Sequence, residues 1–240
     1  MKSQYALPIT IVVAGALIAG AVFLAGKSST PVGGNNGGDV KARAYTPGID
    51  HILGNPNAAV KVIEYSDLEC PYCKTFNTTM NQIVQYYGSS GNVAWVYRHF
   101  PLASIHSKAP KEAEAAECAG KQGGNAAFFK FIDGVYEITP SSNGLDLAQL
   151  PVIAKNIGLD VATFNQCLNI GEFSKKVSAS YDEAIKLGAQ GTPYTILMVG
   201  EDSVVLNGAQ PYDSMRAAID SILSSLGTPV AAPTGTTTAQ

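Results

Sequence analysis

The chain has 240 residues, a formal net charge of −3 and 46% hydrophobic residues. That is enough for one domain with a substantial core, and the mild acidity gives no electrostatic footprint for nucleic acid. Its four cysteines are too few for a disulfide-built scaffold and suit one catalytic pair and one structural pair.

The N-terminus holds an uncharged apolar run, Pro8 to Ala25, and about 20 such residues cross a bilayer as a helix. Ala19-Gly20-Ala21 offers the alternative of a cleaved signal peptide. Residues 1–26 are read as an uncleaved anchor, because the run exceeds an ordinary signal core and a Gly/Ser/Asn stretch follows it. Lys2 precedes the span and Lys27, Lys41 and Arg43 follow it, so charge bias alone does not orient the protein. A stable disulfide pair fits an oxidising compartment, which puts the domain on the extracytoplasmic side, or makes it secreted if the segment is removed. Residues 27–47 have almost nothing to bury and read as a flexible tether.

Asp50 to Asn57 carries turn signals, Gly54-Asn55-Pro56-Asn57 among them. Ala59 to Tyr65 is a first core strand, rich in β-branched residues. It runs into Cys70-Pro71-Tyr72-Cys73, where Pro71 suits the first turn of a helix. Phe76, Met80, Ile83, Val84 and Tyr87 continue at helical spacing, and Gly88 to Gly91 ends the run. Asn92 to His99 is a second strand, so the unit reads as a parallel pair with a crossover helix. From about 108 to 187 the pattern is a series of helices with no strand signal between them, divided at Gly123-Gly124 and Gly158 and ended at Gly188. Thr195–Val199 and Ser203–Leu206 form a hairpin, Tyr212 to Leu226 a last helix, and residues 228–240 a Pro/Ala/Thr-rich tail without core-forming residues.

The Cys70/Cys73 pair is the chemical centre of this pattern. Cys70 sits at the helix N-terminus, where unpaired N–H groups and the helix dipole favour a thiolate, and Cys73 lies one turn deeper. Such a pair can act as a dithiol redox centre, form half of a zinc site, or close an inert disulfide. Zinc needs two more ligands, and Cys118, Cys167, His51, His99 and His106 show no metal-ligand spacing. No metal and no cofactor are expected.

Strand, Cys-Pro-Tyr-Cys helix, strand, helical block, Gly191-Thr192-Pro193 and hairpin together resemble the thioredoxin fold. The long helical block is similar to that of the DsbA-like branch of thiol-disulfide oxidoreductases. Asp50 to Ala58, Tyr65 to Cys73, Arg98-His99-Phe100-Pro101-Leu102 and Gly188 to Pro193 fit its membrane-anchored or secreted members. The resemblance covers residues 48–227 and implies an α/β thioredoxin-like domain with an all-helical insertion. It implies Cys70 as the attacking thiol and Cys73 as the resolving one. Glu64 falls where the family has a buried acid able to relay the Cys73 proton, against the plainer reading of an exposed strand acid. Pro193 matches the family's cis-proline, and Thr192, Pro193, Pro71 and Tyr72 would border the substrate segment. A second disulfide, Cys118–Cys167, fits the branch, with two buried free thiols as the alternative. Tyr72 stands where many strong oxidases have His, so a milder couple is expected. Asp67 and Glu69 are expected to shape the turn, and Arg98, His99 and His106 are candidates for its surroundings.

The function implied is disulfide exchange with exported proteins, promoting disulfide formation and protein folding, with recycling by a membrane redox partner. A reductase or isomerase role, and a copper-delivery module on the same fold, are the competing readings.

Overall fold

A computed structural model describes residues 41–228. The anchor expected over residues 1–26, the tether as far as residue 40 and the tail from residue 229 lie outside the described residues. Among the described residues no helix is long and apolar enough to cross a membrane.

The strands are β1 (His51–Gly54), β2 (Val60–Ser66), β3 (Val93–His99), β4 (Tyr194–Val199) and β5 (Asp202–Asn207). The helices are α1 (Pro71–Tyr87), α2 (Ala109–Ile138), α3 (Leu150–Asn156), α4 (Val161–Asn169), α5 (Ser174–Lys186) and α6 (Tyr212–Ser225). One sheet in the order β1-β3-β2-β4-β5 joins all five strands. The central strand β2 runs parallel to β3, through the α1 crossover, and antiparallel to β4. Because β2 is covered on both faces, its sequence is apolar almost throughout. Val60 and Val62 pack with α1, α2 and α6, while Ile63 and Tyr65 point to the opposite layer with Phe100, Ala184 and Ile196.

Turn signals over Asp50–Asn57 gave no hint of β1. The structure makes His51–Gly54 an edge strand, antiparallel to β3. It is four residues long, too short to show alternation, and its pairing comes from β3 rather than from local propensity. Gly54 has a φ of 102°, and a Cβ there would meet the Val93 carbonyl oxygen at 2.9 Å.

Between β3 and β4 every regular element is helical. A kink at Gly123-Gly124 divides α2, with Gly124 at φ 64° and ψ −158°. Buried Ala113, Ala115, Ala116 and Ala119 let neighbouring backbones approach its first half. Cys118 in α2 and Cys167 in α4 are disulfide-bonded, with their Cα atoms 5.9 Å apart.

Arg98 is corrected as a neighbour of the cysteine pair. Strand alternation turns it to the opposite layer, where it donates to Asp50 Oδ1 at 3.0 Å, Tyr65 Oη at 2.9 Å and the Arg43 carbonyl at 2.8 Å. His99 is buried, with Nε2 3.1 Å from Glu117 Oε1. Glu117 also meets His51 Nε2 at 2.9 Å and Lys176 Nζ at 2.6 Å. This cluster ties the ends of β1 and β3 to α2 and α5.

Candidate active site

The turn between β2 and α1 is built by Asp67. Its carbonyl accepts Cys70 N–H at 3.1 Å and its Oδ1 accepts Glu69 N–H at 2.8 Å. Its Oδ2 accepts Leu102 N–H at 2.8 Å and lies 2.9 Å from His106 Nδ1. Asp67 is 1% exposed, and these bonds fix the turn from both sides. Cys70 then takes the N-cap position in extended conformation, with Pro71 starting the helix. As a result the Cys70 sulfur sits at the helix mouth and the Cys73 sulfur faces the core.

The two thiols differ sharply. Cys70 is 5% exposed and Cys73 is 0% exposed. Cys70 Sγ lies 3.5 Å from the carbonyl oxygen of Thr192. The neighbouring Cys73 thiol lowers the Cys70 pKa most. With Thr192 and the backbone N–H groups of Cys73 and Tyr72 it outweighs burial and brings the value to about 6. Burial, followed by the nearby Cys70 sulfur and Glu64, pushes Cys73 well above the ordinary thiol range. Asp67 N–H points at Cys73 Sγ at 3.5 Å.

Glu64 is not an exposed strand acid. It is 1% exposed and lies in register between Tyr97 on β3 and Thr195 on β4. Neither carboxyl oxygen has a formed hydrogen bond. Burial raises its pKa to about 8, against a weaker opposing pull from Ser66 and Trp95, and the Cys70 sulfur adds to the rise. Around it stand hydroxyl groups that the sequence did not single out. Ser66 Oγ lies 3.2 Å from Tyr136 Oη, which donates to the Asp67 carbonyl at 3.2 Å. Tyr136 comes from α2, so the helical insertion reaches under the cysteines. No sequence signal marks Tyr136, because it is distant in the chain and sits in an ordinary helical pattern.

Thr192–Pro193 is a cis peptide bond leading into β4. Pro193 is buried, Thr192 half-buried, and Pro71 and Tyr72 are exposed, Tyr72 to 66%. The structure therefore brings Cys70, Cys73, Glu64, Thr192, Pro193, Pro71 and Tyr72 to one end of the sheet. It leaves Cys118 and Cys167 in the insertion as a separate bonded pair. Among the described residues no group of three or more His, Cys, Asp or Glu is placed to hold a metal ion. The arrangement favours a thiolate at Cys70 and a thiol at Cys73.

A family model described as "Thioredoxin" matches residues 46–221. The probable disulfide bond formation protein D of Bacillus cereus is 33% identical over 176 residues, covering 70% of this chain and 76% of that protein. DsbA2 of Pseudomonas aeruginosa has the same fold with a TM-score of 0.60 and 29% identity, covering 71% of this chain and 93% of that one. The Na(+)/H(+) antiporter NhaA 3 of Salinispora tropica is 31% identical over 179 residues. That match takes in 75% of this chain but spans only 26% of the antiporter. With the family model spanning most of the described fold, the chain belongs to the thioredoxin family, in its DsbA-like group of thiol-disulfide oxidoreductases.

Proposed function

We propose that this chain exchanges disulfides with exported proteins on the extracytoplasmic side of the membrane, acting as an oxidant of their thiols. The observation that carries the reading is the asymmetry of the two sulfurs: Cys70 Sγ stands at the N-terminus of α1 beside the Thr192 carbonyl and is favoured as a thiolate, while Cys73 is wholly buried behind it and favoured as a thiol. In the oxidised form, a substrate thiolate attacks Cys70 Sγ, the Cys70–Cys73 bond breaks, and Cys73 leaves and takes up a proton, with Glu64 as the nearby acid. A second thiolate of the same substrate then attacks the substrate sulfur bonded to Cys70, forming the substrate disulfide, and Cys70 leaves as the thiolate. The substrate loses two electrons and gains a disulfide; the Cys pair gains both electrons.

A Cys70 pKa near 6 makes the thiolate about ten times more abundant than the thiol at pH 7. Relative to an unperturbed thiol, that stabilises the reduced form by about tenfold, or about 30 mV toward an oxidising couple. The thiolate is held without a histidine at position 72, by Cys73, Thr192 and helix N–H groups. Thr192 and Pro193 beside Cys70 suit main-chain recognition of an extended segment, with Tyr72 as its exposed apolar neighbour. Residues 48–227 form the working domain in this reading, tethered by residues 27–47 to an anchor at 1–26. A membrane redox partner re-oxidises the pair.

The test is refolding of a reduced, disulfide-containing substrate beside an insulin-reduction assay. Wild type should accelerate refolding more than insulin reduction, and Cys70→Ser should abolish both. Insulin reduction as the dominant activity would give the protein a reducing role, and an unaffected Cys70→Ser variant would remove the enzyme reading altogether.

A further inference from the structure

The loop that follows α2 is clamped onto the turn carrying Cys70. Ser141, Ser142 and Asn143 have φ of 66°, 54° and 67°. Three successive non-glycine residues in the left-handed region persist only when bonds around them fix the backbone. Here those bonds run to the residue before the nucleophile. Ser142 N–H donates to the Glu69 carbonyl at 2.8 Å, and Asn143 N–H donates to Glu69 Oε2. In turns, successive backbone N–H groups form a concave nest for an acceptor, and Glu69, 0% exposed, fills this one.

The grip reaches Cys70 through one peptide plane. The Glu69 carbonyl and the Cys70 N–H belong to the same planar group. Its N–H edge is held by the Asp67 carbonyl at 3.1 Å and its carbonyl edge by Ser142 at 2.8 Å. With both edges bonded the plane resists rotation, and the Cα of Cys70, which ends it, is fixed. The Cys70 sulfur is thereby kept at the N-terminus of α1, 3.5 Å from the Thr192 carbonyl.

Asn143 holds this loop in place. Its Nδ2 donates to the Ile105 carbonyl at 2.7 Å, and its Oδ1 accepts Ser107 Oγ and Lys108 N–H, each at 3.3 Å. The partners fix which end of the amide is which, a carbonyl facing the NH2 and an N–H facing the oxygen. Asparagine is also among the few residues that visit the left-handed region readily. Ile105, Ser107 and Lys108 lie in the connection from β3 to α2, which Asp67 holds through Leu102 N–H and His106. Asn143 is thus where three segments meet: the Cys70 turn, the connection into α2 and the loop out of it.

We propose that Asn143 is a positioning residue for Cys70, locking the loop of the helical insertion onto the Glu69–Cys70 peptide. This deepens the disulfide-exchange reading and rests on it. Loosening the lock lets the Cys70 sulfur leave the helix N–H groups that stabilise its thiolate, which disfavours the reduced form.

Asn143→Gly tests this, because glycine accepts the left-handed backbone and removes the side-chain bonds. Cys70 of the reduced protein is titrated by its alkylation rate against pH, and the Cys70–Cys73 pair is equilibrated with glutathione. The midpoint of the alkylation profile should rise by about 0.5 pH unit, and the equilibrium constant for reduction by glutathione at pH ~7.5 should fall about threefold, the two reporting one change in thiolate stability. A lower unfolding midpoint with both readouts at their wild-type values overturns the proposal. If Asn143→Gly does not fold, amide hydrogen exchange of wild type decides. The N–H groups of Ser142, whose side chain is exposed, and of Asn143 should exchange at least about a hundredfold more slowly than unstructured amides; exchange at the unstructured rate overturns the clamp. Absence of any exchange of wild type with glutathione defeats the functional reading, while the alkylation profile and the hydrogen exchange still decide the role of Asn143.

Discussion

Glu64 connects the burial of one side chain to the chemistry of another. Its carboxyl releases its proton near 4.5 when exposed and near 8 in the fold. Between those values the folded chain holds a proton that the unfolded chain has lost, so stability falls as pH rises through that window and levels off above it. The difference corresponds to about 5 kcal/mol. Glu64→Gln should therefore raise the unfolding free energy at pH 8 by a few kcal/mol. The same substitution should slow attack of Cys73 on a mixed disulfide by about tenfold or more, because the base that accepts its proton is gone. Quenched alkylation of the mixed disulfide reads that rate. In wild type it should climb with pH through about 8 as Glu64 becomes a base, and in Glu64→Gln it should stay low and flat. A variant that keeps the wild-type climb would remove Glu64 from the proton path.

At the scale of elements, the insertion is fastened in two ways, by packing against the sheet and by the Cys118–Cys167 bond. The two cysteines are separated by 49 positions, and closing a loop of that length is worth about 4 kcal/mol in the chain-entropy model. The double substitution Cys118→Ala, Cys167→Ala should lower the unfolding midpoint by about 10 °C, read by calorimetry. The Cys70–Cys73 equilibrium with glutathione should be nearly unchanged, since neither residue touches the pair. The elements themselves were legible in proportion to their local signals. Ala59–Tyr65 followed by Cys-Pro-Tyr-Cys gave β2 and α1 because β-branched enrichment and a helix-starting proline are local properties. Gly123-Gly124 marked the break in α2 for the same reason. β1 was not legible, since its order comes from β3. Nor was the meeting of Ser66 with Tyr136. It joins the active-site turn to a helix that begins some 40 residues later in the chain, and no local periodicity encodes which buried polar groups become neighbours. The depth of Glu64 was open for a related reason, because alternation says which face a strand residue takes but not how well that face is covered.

The whole molecule divides its charged interior between the two faces of the sheet. The thiol chemistry occupies the face covered by α1 and α2. The other face holds Arg98, bound to Asp50, Tyr65 and the Arg43 carbonyl, with Glu183 of α5 at 3.3 Å. Arg98→Leu leaves Asp50 buried with only Arg43 as its cation, and such losses cost about 3 kcal/mol. Urea unfolding should show that loss with the glutathione equilibrium of the Cys pair preserved; a matching shift in both would mean that the faces are coupled. Trp95, the chain's one tryptophan, is fully buried on the thiol face, packed on Phe129 at 5.0 Å and close enough to Glu64 to act on its titration. The consequence is spectroscopic. Intrinsic fluorescence excited at the indole comes from a single emitter in the layer beneath the cysteines. It should titrate near pH 8 with Glu64, change intensity when the pair is oxidised, and lose its pH response in Glu64→Gln, so turnover can be watched in unlabelled protein.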